Sequence, residues 1–171
     1  MTRRTLAFDP IAQATINWRG AGWDDAAPGM ALVTSVMRAQ QLFQARVDTV
    51  LTPFELTFAR FEVLMLLDFT KRGQLPLARI GERLQVHPAS VTNAINRLEA
   101  AQLVTRQPHP TDGRTTLAVI TPAGRRRVRQ AAMALNDEVF TQLEVPAAAA
   151  DQVVAVLAGL RRSAGDFADA E

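Results

Sequence analysis

The feature that most constrains this chain is the stretch from Leu75 to Pro122, where two helical patterns are followed by two β-prone runs joined by a tight, charged loop. Leu77, Ile80 and Leu84 recur at helical spacing. After a break at Gln85, a second helix opens with His87 at the N-cap, Pro88 at the first helical position and Val86 placed to staple against Val91. Its apolar stripe is Val91, Ile95 and Leu98; the opposite face carries Ala89, Asn93, Asn96 and Ala100, flanked by Thr92 and Arg97. Leu103–Arg106 and Thr115–Ile120 then read as two strands. The loop between them holds Pro108, Pro110 and the Asp112-Gly113 pair, and ends on Arg114. Two helices, then a hairpin with a stiff tip, predict a mainly α chain carrying a small β-wing: a winged helix-turn-helix.

The second helix buries one face and leaves the other small and rich in amides. Small residues allow close approach to another surface, and an asparagine amide pairs a donor and an acceptor with an adenine edge in the DNA major groove. An arginine at an extended hairpin tip suits a narrow, electronegative minor groove. A merely solvated helix face is the plain alternative. Charge favours the first reading. Residues 71–130 hold eleven basic side chains against Glu82, Glu99 and Asp112, a balance of +8, whereas the rest of the chain balances at −6. The whole-chain charge of +2 conceals this asymmetry, and the pI of 10.3 reflects only the lack of Cys and Tyr and the single lysine, Lys71.

Taken together, Ile80-Gly81-Glu82-Arg83-Leu84, Val91-Thr92-Asn93-Ala94-Ile95-Asn96-Arg97-Leu98-Glu99, Leu103-Val104-Thr105-Arg106, Asp112-Gly113-Arg114 and Ile120-Thr121-Pro122-Ala123-Gly124 resemble the MarR family of bacterial transcriptional regulators over about residues 29–160. The resemblance implies a homodimer on a palindromic double-stranded operator, with the Asn93 helix in the major groove and the wing in the minor groove. The implied reading-helix residues are Pro88, Ala89, Ser90, Thr92, Asn93, Asn96 and Arg97; the implied wing residues are His109, Asp112, Gly113 and Arg114. Gly113 is a departure, since many members carry a further arginine there. In a branch of the family with an N-terminal extra helix, responsive to urate-like anions, Trp18, Glu62 and Arg106 match effector-binding positions, while Ala94 replaces a recognition-helix arginine. The implied effector is a small aromatic or anionic molecule.

Outside the reading head, helices are expected from Pro10 to about Arg19, from Met30 to Leu51, from Phe58 to Phe69 behind Thr57, from Pro122 to Gln142 and from Ala147 to about Ala164, with 20–29 as a loop. That divides the chain into an N-terminal extension (1–29), a helical dimerisation region (30–56 and 122–171) and the winged helix-turn-helix (57–121), within one compact chain. Segments 30–51, 122–142 and 147–164 carry more apolar positions than one small domain shields; they either fold back or meet a second copy. Glu62 sits among apolar neighbours and is expected to pair with Arg38 or Arg46, or else to face an effector. Trp18 and Trp23 either anchor the extension or stack on a ligand. Arg125-Arg126-Arg127, with Arg129, crowd a positive helix start, where they are either solvated or meet a DNA phosphate.

Several classes are excluded. Without cysteine there is no disulfide framework, thiolate metal site or thiol switch. No Gly-rich phosphate loop, metal-ligand spacing or nucleophile with a placed base is present, so no enzyme, catalytic residue, metal or cofactor is expected. Apolar runs fall far short of the about 20 residues that span a bilayer, and the N-terminus lacks a signal peptide, which predicts a cytoplasmic protein without a membrane partner. A winged helix used for protein contact would want an apolar or acidic outer face, unlike Ala89, Asn93, Asn96 and Arg97. An architectural DNA-binding protein without sequence preference is the remaining rival.

Overall fold

The computed structural model describes residues 5–168. The described residues divide into two compact units, one up to Val47 and the other from Asp48. In the first, α1 (Pro10–Gly20) starts behind Asp9, whose carboxylate accepts the Ile11 N–H, with Pro10 at the first helical position where its missing donor costs nothing. Trp18 and Trp23 meet edge to face, ring centres 5.2 Å apart. That contact secures the chain leaving α1. The long helix α2 (Ala27–Leu51) begins three residues before the expected Met30, because Pro28 sits inside its first turn rather than in a loop. Leu32, Val33, Val36, Met37, Leu42 and Phe43 are exposed along it.

In the second unit, α3 (Phe58–Asp68) is capped by Thr57, whose hydroxyl accepts the Arg60 N–H, and buries Phe61, Val63, Leu64 and Leu67. Two short helices follow, α4 (Leu77–Leu84) and α5 (Pro88–Ala100). Gln85 turns the corner between them at φ 53°, and Gly81 lets α4 close on that turn: a Cβ there would lie 3.3 Å from the Val86 carbonyl. Then come β2 (Val104–Pro108), β3 (Thr116–Ile120), α6 (Pro122–Glu138) and α7 (Ala147–Ser163).

One strand was not expected. Gln74–Pro76 forms β1, antiparallel to β3, so the sheet has three strands in the order β1-β3-β2. Three residues are too few to show an alternating pattern, and Leu75, which seemed to lead into the first helix, pairs with Ala118 instead. On the other side β3 pairs with β2 from Val104↔Ile120 to Pro108↔Thr116; the proline is tolerated because β2 is an edge. The helix expected to reach Gln142 stops at Glu138 and passes into a short 3-10 turn, Phe140–Gln142. Among the described residues no single helix is long and apolar enough to cross a membrane.

The base of the wing is fastened to α6. Thr121 caps α6 by accepting the Gly124 N–H at 3.0 Å, and its own N–H donates to the Leu103 carbonyl at 3.0 Å. Its hydroxyl lies 2.9 Å from the Gln102 carbonyl and 3.2 Å from that of Leu103. Helix α6 therefore presses directly on the start of β2. Only glycine fits at Gly124, where a Cβ would fall 2.1 Å from the Leu103 carbonyl oxygen.

Candidate nucleic-acid interface

Helix α5 divides as its sequence pattern predicts. Val91, Ile95 and Leu98 are buried, while Pro88, Ala89, Ser90, Thr92, Asn93, Asn96, Arg97 and Ala100 are exposed. His87 caps the helix through its Nδ1, which accepts the Ala89 N–H at 3.2 Å. The Thr92 hydroxyl donates back to the Pro88 carbonyl at 3.1 Å, so its proton is used within the helix and it turns outward as an acceptor and a methyl. Ser90, Asn93, Ala94 and Arg97 form one wall of a cleft of about 470 Å³; Thr57, Ala59 and Arg60, from the N-terminus of α3, form the other. No carboxylate lines it. Two guanidinium groups, the amide end of a helix, two hydroxyls and a side-chain amide converge there, a setting that favours an anion such as a phosphate. Arg60 had not been singled out, because nothing in its linear context announces that α3 starts beside α5.

The wing is a closed turn. The His109 N–H donates to the Thr115 carbonyl at 2.9 Å, and the Thr115 N–H donates to the Asp112 carbonyl at 3.0 Å. The Asp112 carboxylate accepts the Arg114 backbone N–H at 3.1 Å and the Thr115 hydroxyl at 2.6 Å, and these bonds hold its pKa below the ordinary carboxylate range. Asp112 thus builds the turn rather than gripping the Arg114 side chain, which is left exposed at the tip. Gly113 does not adopt a positive φ, so the tip makes no use of glycine's left-handed freedom. His109 turns its Nδ1 toward Thr111, 3.4 Å from its N–H.

Arg106 is already paired within the protein. On β2 its guanidinium pairs with Glu99 and also donates to the Asn96 Oδ1 at 2.6 Å, both on α5. Glu62 is half-buried on α3, and burial pushes its carboxyl above the ordinary range. Trp18 belongs to the first unit, against Trp23.

Three of the four arginines at the start of α6 find their anions in the protein, and Arg126 is exposed. Asp68, whose side chain is 6% exposed, pairs with both Arg125 and Arg129, and Arg127 pairs with Glu55 at 3.0 Å. Both acids lie outside residues 71–130, so the excess of positive charge counted along the sequence is partly neutralised in space.

Comparison with known proteins agrees with this geometry. The MarR family model matches residues 56–116, from the start of α3 into the wing. The regulator MhqR of Bacillus subtilis is 33% identical over 97 residues, 57% of this chain; the chain spans only 58% of that relative, and just over half the length of the curated relatives it matches. The structure of BpsR from Bordetella bronchiseptica, whose DNA binding is regulated by 6-hydroxynicotinic acid, is 25% identical with a TM-score of 0.67, covering 74% of this chain and 90% of that one. Sco5413 from Streptomyces coelicolor, a MarR family transcriptional regulator, is 47% identical with a TM-score of 0.75, covering 83% of this chain and 99% of its own. With that identity extending over nearly all of Sco5413, and with the reading helix, wing and Thr121-to-Gly124 lock all in place, this chain belongs to the MarR family.

Proposed function

We propose that the protein is a dimeric, sequence-specific DNA-binding regulator, a repressor released by a small aromatic or anionic effector. One observation carries the DNA reading: the outward face of α5 is polar to basic from Ser90 to Arg97 and continues into an anion-favouring cleft on one side and a rigid, arginine-tipped wing. In this reading Pro88, Ala89, Ser90, Thr92, Asn93, Asn96 and Arg97 enter the major groove. Arg114 enters the minor groove on a turn built by His109, Asp112 and Gly113, and Arg60 holds a backbone phosphate.

A second copy supplies the two-fold. The exposed apolar residues of α2, and separately Val153, Val154, Val156 and Leu160 on α7, are surfaces of the kind that a homodimer buries. Two reading helices then fall about 34 Å apart, one turn of DNA, which calls for a palindromic operator. The likeness to BpsR supports an aromatic acid as effector. Trp18, Glu62 and Arg106 are the effector residues to test, Arg106 in competition with its pairing to Glu99 and Asn96.

Selection of bound sites from random duplex DNA tests the central claim. A palindrome with half-sites about one turn apart is expected; binding without enrichment would place the protein with architectural DNA-binding proteins instead. Light scattering tests the assembly, and a stable species of 18.7 kDa at micromolar concentration would refute the dimer. Glu62→Gln is expected to alter release by aromatic acids while leaving operator affinity of the free protein intact.

A further inference from the structure

An asparagine on a reading helix ordinarily discriminates adenine, accepting from N6–H with its oxygen while donating to N7 with its nitrogen. Asn93 and Asn96 both face outward on α5, but they are not equivalent. Arg106, reaching over from β2, donates to the Asn96 Oδ1 at 2.6 Å while its other terminal nitrogen is held by Glu99. Chemistry fixes the orientation of this amide: a guanidinium has five donors and no acceptor, so the end of Asn96 against it must be the oxygen. The oxygen keeps a second lone pair but is turned toward Arg106, so the end turned away from it, toward a base, is the amino group. Asn93, on the cleft side of the helix, keeps both its oxygen and its nitrogen available.

We infer that Asn96, held by Arg106, reads an acceptor edge, that of guanine, where an unheld asparagine would read adenine. Guanine presents two neighbouring acceptors in the major groove, N7 and O6, both suited to an outward-turned amino group; adenine places its N6 donor where the committed oxygen would be needed. Arg106 is a positioning residue in this scheme. Its charge remains with Glu99, and it sets which half of the Asn96 amide faces DNA. The inference rests on α5 being the reading helix and names the base class that one of its side chains selects.

The test uses the full-length protein. Sites are selected from random duplexes with the parent, Asn96→Ala and Arg106→Met, and the position that Asn96→Ala flattens identifies the base pair read. Guanine is expected there for the parent, with discrimination of about 5- to 150-fold for a good side-chain-to-base pairing, and Arg106→Met is expected to shift the preference toward adenine. Parent binding to sites carrying at that position 7-deazaguanine, which lacks N7, or 6-thioguanine, which replaces O6 with a weakly accepting sulfur, supplies a measurement independent of how well Arg106→Met folds: affinity should fall for the parent with at least one of the two and with neither for Asn96→Ala. Adenine at the Asn96-dependent position of the parent, an unchanged guanine preference in folded Arg106→Met, or indifference of the parent to both guanine analogues would overturn the inference while leaving the regulator reading intact. Absence of any enriched site for the parent would overturn both.

Discussion

Exchanging glycine for alanine within a helix ordinarily stabilises a protein by about 0.5–1 kcal/mol, because alanine loses less backbone entropy on folding. At Gly124, in the first turn of α6, the sign should reverse. A Cβ built there lies 2.1 Å from the Leu103 carbonyl oxygen and 3.0 Å from the Ile120 side chain. The first distance is about 1 Å short of an ordinary carbon-to-oxygen contact of about 3.3 Å, and the obstacle is backbone rather than a flexible side-chain end. The same carbonyl accepts the Thr121 N–H at 3.0 Å, so any displacement that relieves the clash also stretches the lock between the wing and α6. Overpacking costs about 1–3 kcal/mol, and weakening one or two hydrogen bonds adds about 0.5–1.5 kcal/mol each. After the gain in helix propensity, Gly124→Ala should destabilise by about 2–4 kcal/mol, or lower Tm by about 5–15 °C for a chain of this size. Gly113 provides the internal control. It has no positive φ and nothing within 4 Å of its built Cβ, so Gly113→Ala should leave stability unchanged or raise it by about 0.4–1 kcal/mol. Urea and thermal unfolding of both variants read the comparison. Equal stability of Gly124→Ala and the parent would show that α6 does not press on β2 as described.

Asp68→Asn removes the charge shared by Arg125 and Arg129; breaking a buried pair costs about 3–5 kcal/mol, and discounting for the solvent exposure of both arginines leaves about 1–3 kcal/mol, measurable by urea unfolding. An unchanged midpoint would show that the pairs are only surface contacts. The raised pKa of Glu62 means that the folded state holds its proton longer than the unfolded chain, so stability falls as pH rises from the ordinary carboxylate range through the folded value. Glu62→Gln should flatten that decline and gain on the parent more at pH 7 than at pH 4; parallel pH profiles would refute burial as the cause. Arg114→Ala should weaken binding most at A·T-rich flanks and lower the salt slope, whereas Asp112→Ala, which opens the turn but keeps the cation, should weaken binding with the slope retained. Equal behaviour on A·T-rich and G·C-rich flanks would remove Arg114 from the minor groove.

Elements with their own local signals were legible in the sequence. The α5 boundaries follow from His87 and Pro88, its buried stripe from Val91, Ile95 and Leu98, and the start of α6 from Thr121 and Pro122. What escaped notice depends on pairing between distant segments. Strand β1 exists because β3 offers it an edge; Gln74, Leu75 and Pro76 alone announce nothing. Arg60 enters the cleft beside α5 only because α3 folds against the reading head. Within the wing, Asp112 and Arg114 were the right residues, but which part of Arg114 the carboxylate would hold, backbone rather than guanidinium, depends on the turn's geometry. Likewise Arg106 and Asn96 are ten residues apart, and only the approach of β2 to α5 joins them.

Charge shows the same limit most sharply, and it bears on how the protein should respond to salt. The balance of +8 over residues 71–130 treats every arginine as available to a phosphate. In three dimensions Arg125 and Arg129 are turned to Asp68, Arg127 to Glu55, Arg106 to Glu99 and Arg79 to Glu82. The guanidinium groups presented by the cleft, the reading helix and the wing are those of Arg60, Arg97 and Arg114. Three cations per protomer, on a phosphate or in a groove, offset the charge of about six phosphates in a dimer, and counterion release then gives a slope of log K against log salt near −5. If all eight excess charges met phosphates, the dimer would show a slope near −14 by the same relation. A measured slope near the steeper figure would mean that further cations reach phosphates, either the exposed Lys71, Arg72, Arg83 and Arg126 or the arginines otherwise paired with Asp68 and Glu55. One near the shallower figure would mean that those arginines serve the fold, and that the three at the cleft, helix and wing carry the electrostatic hold on DNA.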